Sequence, residues 1–156
     1  MVSTPALKML DAAKVAVSLH PYDYYRDAEA VGLAAAMALG LDPALVLKTL
    51  MVEVDGKPFC CLLPSDKSLS MKKVAAGFGG KSAAMMLPAK AEKLTGYRVG
   101  GISPFGQKRI VPTLFEAVPM AAAKVWINAG ARGLLLGIAP ADALKASGGR
   151  ALDIVS

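Results

Sequence analysis

Apolar and polar positions recur along this chain with two different periods. Val15, Val17 and Leu19 fall on every second position, which predicts a strand over Val15–Tyr22. Val46–Val54 is rich in β-branched and large apolar residues and reads as a second strand. It pairs in expectation with Lys57–Leu63 across Asp55-Gly56, a dipeptide suited to a two-residue hairpin turn. Shorter strands are expected over Ser82–Met86, Ile110–Phe115, Lys124–Asn128 and Gly133–Ile138, the last two joined by the turn Ala129-Gly130-Ala131-Arg132. Ala151–Val155 ends the chain.

The helical period appears elsewhere. Pro5–Ala13 reads as a helix, with Ser3 or Thr4 to cap it and Pro5 in its first turn. Ala-rich Asp27–Leu39 is a second helix, stopped by Gly40, and Asp42-Pro43 opens a turn. Leu69–Ala76 ends at Gly77, Pro88–Leu94 at Gly96, and Pro140–Ala146 is the last helix. Tyr97–Gln107 is a loop carrying Gly100, Gly101, Pro104 and Gly106. Strands and helices intermingle without a βαβ rhythm. That predicts a single α/β domain, with a mixed sheet and helices packed around it. No repeat, low-complexity tract or linker marks a domain boundary.

Composition narrows the class. The 156 residues are 54% hydrophobic and 19% charged, which excludes disorder and suits one domain with a proper core. The longest apolar stretch, Val31 to Leu41, is broken by Gly32 and Gly40 and is too short for a membrane span. The first residues, MVSTPALKMLDAAK, lack the basic and apolar regions of a signal peptide, so a cytoplasmic location is expected. Cys60 and Cys61 are adjacent and poorly placed for a relaxed disulfide, in keeping with a reducing compartment. Net charge is +6, from 18 Lys+Arg against 12 Asp+Glu. A polyanion partner and a merely basic soluble protein stand level on that figure. Aromatics are few, so RNA contact would be mainly to phosphate, with one terminal base in a pocket.

Most catalytic kits are missing. One histidine, His20, and two adjacent cysteines do not supply a zinc site. A Ser-His-Asp triad would need His20, which sits inside a predicted strand and reads as structural. Cys60 and Cys61 lie in the apolar run CCLL, with no clustered charge to activate a thiol. No phosphate loop of either common type is present. No cofactor and no metal are expected. What remains is Thr95–Lys108, TGYRVGGISPFGQK, whose glycines let backbone approach a ligand and whose amides can form an anion-binding nest. An ordinary turn is the competing reading, favoured on pattern alone. Lys48 is the second candidate. Inside an apolar strand it either guards a sheet edge or faces a cleft, and the two readings stand level.

The loop Thr95-Gly-Tyr to Gly100-Gly-Ile-Ser-Pro-Phe-Gly-Gln-Lys108 resembles the signature of the YbaK/EbsC-type aminoacyl-tRNA deacylases, relatives of the editing domain inserted in bacterial prolyl-tRNA synthetases. Leu47-Lys48-Thr49-Leu50, the Ala-Gly-x-Arg-Gly-Leu run at Ala129–Leu134, and Ile138-Ala-Pro-x-Asp142-x-Leu144 add to the likeness, which covers roughly Thr4 to Val155. The resemblance implies a barrel-like mixed sheet and hydrolysis of the ester joining an amino acid to the tRNA 3′ end. It ties activity to Lys48. It places Gly100, Gly101, Ile102 and Ser103 along the pocket, with Tyr22 and Asp142 at further pocket positions. Gly100 and Gly101 would hold the carbonyl oxygen through their N–H groups. Charge complementarity assigns the substrate α-ammonium to Asp142. The implied substrate is tRNA(Pro) carrying a wrong amino acid, Cys-tRNA(Pro) first, cleaved by the substrate's own thiol. Prolyl-tRNA synthetase is a second candidate partner; no DNA and no membrane are expected. The alternatives are an Ala- or Ser-tRNA(Pro) deacylase using water, and a non-catalytic tRNA- or synthetase-binding module.

Overall fold

The computed structural model describes residues 3–24 and 31–156. Among the described residues eight strands form one mixed sheet, and five α-helices pack around it. The strands are β1 (Ser18–Pro21), β2 (Val46–Val54), β3 (Lys57–Pro64), β4 (Ala83–Met85), β5 (Thr113–Glu116), β6 (Val125–Ala131), β7 (Leu134–Ile138) and β8 (Arg150–Leu152). They are ordered β1-β7-β6-β2-β3-β5-β8, with β4 set against β2. The helices are α1 (Pro5–Ala12), α2 (Val31–Leu39), α3 (Met71–Gly77), α4 (Pro88–Thr95) and α5 (Pro140–Ser147). None is long and apolar enough to cross a membrane among the described residues.

The β2–β3 hairpin anchors the sheet and forms as expected. Asp55 and Gly56 both take positive φ, 51° and 81°, as the mirror-image two-residue turn requires. Pairing runs unbroken from Val54↔Lys57 to Leu47↔Pro64. In such a hairpin the closing pair exchanges hydrogen bonds, and alternate pairs after it do so too. Even-numbered residues of β2 therefore bond to β3, and odd-numbered ones turn their backbone groups to the opposite edge. Pro58 and Pro64 face Glu53 and Leu47, two odd positions, so their missing N–H groups cost the ladder nothing.

The caps follow the local chemistry. Thr4 Oγ1 accepts from Leu7 N, Ser70 Oγ accepts from Lys73 N, and Gly96 closes α4 in the left-handed region. The main core joins α1, α4, α5 and the 97–107 loop to one face of the sheet, through Leu10, Leu62, Phe105, Phe115, Ile127 and Leu136. A second cluster seats α3 on Val52, Val54 and Leu114, and a third seats Ala35 and Ala36 of α2 on Val46 and Leu135.

Several expectations shift. The start of the second helix at Asp27 lies outside the described residues. The first strand is Ser18–Pro21 only, with Leu19 on its exposed side. The turn between β6 and β7 is not Ala129–Arg132: β6 continues to Ala131, and the turn is Arg132-Gly133. An irregularity between Asn128 and Ala131 absorbs the extra residues. Asn128 Oδ1 accepts from Gly130 N at 2.7 Å, so the side chain supplies a bond the ladder lacks there.

Candidate functional site

The pairing of β2 with β6 stops at Leu47, and its pairing with β4 begins only at Val52. Between them the edge of β2 has no strand beside it. Thr49, an odd position, turns its backbone N–H and C=O into that gap. Its hydroxyl is buried and finds no partner among the described residues. A cavity of about 530 Å³ opens there, in the size range of small-molecule sites. Its wall includes Lys48, Thr49, Tyr22, Tyr24, Gly100, Ile102 and Asn128. Val46, Leu47, Met51, Met86 and Leu135 supply an apolar floor.

Lys48 lines this cavity, beside the unpaired stretch of β2. Burial lowers the pKa of its ammonium, and the exposed Asp66 carboxylate acts against that shift. Among the described residues Lys48 makes no ion pair. A partly desolvated cation with no ion pair among the described residues is suited to hold an anion or a polarised oxygen.

The glycine loop reaches the cavity by one corner. Gly101 N donates to Arg98 O at 2.8 Å, and Gly100 has φ 90°, which defines a turn that needs glycine at its third position. A Cβ on Gly100 would lie 2.5 Å from the Tyr24 hydroxyl, so glycine is required here for closeness as well. Behind the turn the loop is rigid. Tyr97 Oη donates to Phe105 O at 2.6 Å, Gln107 Nε2 donates to Ser103 O at 3.0 Å, and Phe105 is fully buried. Burial pushes the Tyr97 phenol up to about 12.

Of the residues singled out from sequence, Lys48, Gly100, Ile102 and Tyr22 line the cavity. Burial raises the Tyr22 phenol pKa. Three others lie off the described cavity wall. Gly101 lies buried against the backbone of Ala131 and Arg132, and its N–H is committed to Arg98 O, so it has no proton left for a substrate oxygen. Ser103 is fully buried, and its hydroxyl accepts from Phe105 N inside the loop. Asp142 stands in the first turn of α5, where a carboxylate suits the helix dipole; it is not part of the cavity wall. Sequence reasoning missed Tyr24, Thr49 and Asn128. Thr49 was within reach, as the neighbour of Lys48 in an otherwise apolar strand.

The cysteines behave as core residues. Both are buried, and burial raises both thiols, Cys61 to about 12. His20 sits on edge strand β1, 2.8 Å from Ser18 Oγ and edge-on to Trp126. Burial and the nearby Lys124 ammonium lower its pKa. None of the described wall residues is His, Cys, Asp or Glu. The arrangement offers a cation, one glycine amide, hydroxyls and a shaped apolar floor. It suits an already activated bond that needs positioning and charge stabilisation.

Known proteins place this site in context. Residues 27–146 match the model of the aminoacyl-tRNA editing domain, and the chain belongs to that family. It is accordingly an aminoacyl-tRNA deacylase, a carboxylic ester hydrolase that acts on mischarged tRNA. Among similar proteins is EbsC of Enterococcus faecalis, provisionally named a Cys-tRNA(Pro)/Cys-tRNA(Cys) deacylase. It is 30% identical over 158 residues, covering 98% of this chain and 93% of EbsC. A crystal structure provisionally described as a trans-editing enzyme for prolyl-tRNA synthetase superposes with a TM-score of 0.84 at 19% identity, over 100% of this chain and 99% of the other. A second, described only as hypothetical protein APE2540, gives 0.82 at 23% identity, over 98% and 100%. Both share the α/β fold with its mixed sheet.

Proposed function

We propose that this deacylase clears cysteine from Cys-tRNA(Pro), with the substrate's thiol as nucleophile. The observation that carries the reading is a cavity lined by both Lys48 and the Gly100 turn, with no His, Cys, Asp or Glu on its described wall. The likeness to EbsC supports the choice of cysteinyl ester. The thiol sulfur attacks the ester carbonyl carbon and the C–O bond to the ribose breaks. The thiol proton ends on the freed ribose hydroxyl, and the products are a cysteine thiolactone and intact tRNA. The Gly100 N–H stabilises the carbonyl oxygen as charge develops on it. Lys48 holds the terminal phosphate and ribose, which fixes the ester against the turn. Prolyl-tRNA synthetase supplies the mischarged substrate.

The test is a panel of charged tRNAs assayed together against buffer. Cys-tRNA(Pro) is hydrolysed fast, while Ala-tRNA(Pro), Ser-tRNA(Pro) and S-methylcysteinyl-tRNA(Pro) decay at the buffer rate. Equal turnover of the S-methylated ester would show that water, not the thiol, is the nucleophile.

A further inference from the structure

We infer that Arg132 is a positioning residue that aims the Gly100 N–H into the cavity, an inference resting on the oxyanion role proposed above. Arg98–Gly101 is a tight turn whose central peptide links Val99 to Gly100. With glycine third, that peptide can lie in either of two orientations related by a flip, one with its N–H toward a given side and one with its carbonyl there. Catalysis needs the N–H toward the substrate. A flipped peptide would set a carbonyl dipole against the developing oxyanion.

Two side chains from the β6–β7 hairpin settle the orientation. Arg132 Nε donates to Val99 O at 3.0 Å, and Asn128 Nδ2 donates to Gly100 O at 3.1 Å. The carbonyl and N–H of one trans peptide point in opposite directions. Arg132, which is not part of the cavity wall, therefore draws the Val99 carbonyl to its own side and turns the Gly100 N–H to the other. Val99 and Gly100 both line the cavity. Gly101 N–H is spent within the turn, so the Gly100 N–H is the donor this corner has to offer. The guanidinium is itself seated, 5.2 Å from the centre of the Tyr24 ring, where cation and π-face attract. Asn128 fixes the next peptide and is tied back to Gly130 N. The hairpin thus grips two successive carbonyls of the turn.

The experiment compares wild type, Arg132→Ala and the milder Arg132→Gln on Cys-tRNA(Pro), over a range of salt, with melting checked for each. The expected result is a fall in kcat of about 100-fold for Arg132→Ala with KM nearly unchanged, the loss typical of one oxyanion donor. Methylguanidinium added to Arg132→Ala restores part of kcat. The Gly100 amide resonance moves in the variants without substrate present. If KM rises, the salt dependence flattens and kcat is retained, Arg132 is a phosphate contact and the inference is overturned. An unchanged kcat with an unchanged Gly100 resonance overturns it equally. A wild type that hydrolyses none of the tRNA panel defeats the functional reading instead, while a displaced Gly100 resonance would still report the clamp.

Discussion

The two halves of β2 are one continuous strand with one partner, β3, along their whole length, yet they face opposite tasks. From Val52 to Val54 the strand is flanked by β3 and β4, and its even-numbered side chains are sealed under α3. From Lys48 to Leu50 the second flank is missing and the cavity takes its place. The paired half has its polar groups satisfied and its apolar groups buried. The unpaired half keeps a partly desolvated amine and a hydroxyl with no partner among the described residues. An interruption in a ladder exposes backbone that would otherwise be spoken for. Stability is concentrated in one half and chemistry in the other.

Substitutions along the strand test that division. The largest effect is expected at Lys48. Lys48→Ala lowers kcat/KM by roughly 100-fold or more, about 2.7 kcal/mol of transition-state stabilisation. Melting does not fall, because folding disfavours this charge. The sign follows from the depressed pKa: the native state is penalised while Lys48 is protonated, and the penalty lifts as pH rises past its folded pKa. The same shift predicts that enzymatic turnover, corrected for buffer hydrolysis, declines on the alkaline side below the ordinary lysine range. Lys48→Arg should move that decline upward; a profile identical in the two proteins would remove Lys48 from the reaction.

Gly100→Ala and Gly56→Ala form a matched pair. Both residues have positive φ, 90° and 81°. A methyl on Gly56 meets nothing within 4 Å, whereas one on Gly100 strikes Tyr24. Gly100→Ala is expected to cost about 10- to 100-fold in kcat. Gly56→Ala should leave kcat alone and cost about 1 kcal/mol of stability, the usual penalty for a side chain in that backbone region. Equal activity losses in the two would mean that the turn acts only through the fold.

Val52→Ala should cost about 2 kcal/mol in denaturant unfolding, with kcat/KM intact below the transition. Thr49→Val carries the smallest expected change in stability, near zero, since the hydroxyl it removes has no partner among the described residues. Its kcat/KM should stay close to wild type, because that hydroxyl is buried rather than presented to the cavity. A several-fold drop in a Thr49→Val enzyme of unchanged stability would mean that the substrate reaches the hydroxyl.

Much of the fold was legible because local chemistry and tertiary context agree. Asp55-Gly56, Thr4-Pro5 and Gly96 each specify a backbone geometry that the final structure uses. The misreadings came where a side chain overrides the local signal. Ala129-Gly130-Ala131-Arg132 looks like a turn, but Asn128 caps Gly130 N and the strand resumes. For the site, Lys48 and Gly100 were legible as a polar residue in an apolar strand and a glycine in a conspicuous loop. That Gly101, Ser103 and Asp142 lie off the described cavity wall was not legible, since which hydrogen bond a loop amide makes, and where a helix comes to rest, depend on long-range packing. Arg132 and Asn128 reach the glycine turn from more than two dozen residues away.

The sulfhydryls of Cys60 and Cys61 lie at the centre of β3, sealed from solvent and held in their neutral form. Alkylating reagents attack thiolates, so they gain access only when this strand comes apart. The protein thereby carries an intrinsic stopwatch. The rate at which iodoacetamide marks the pair reports how often the whole sheet opens, with no label to install and no residue of the active cavity disturbed.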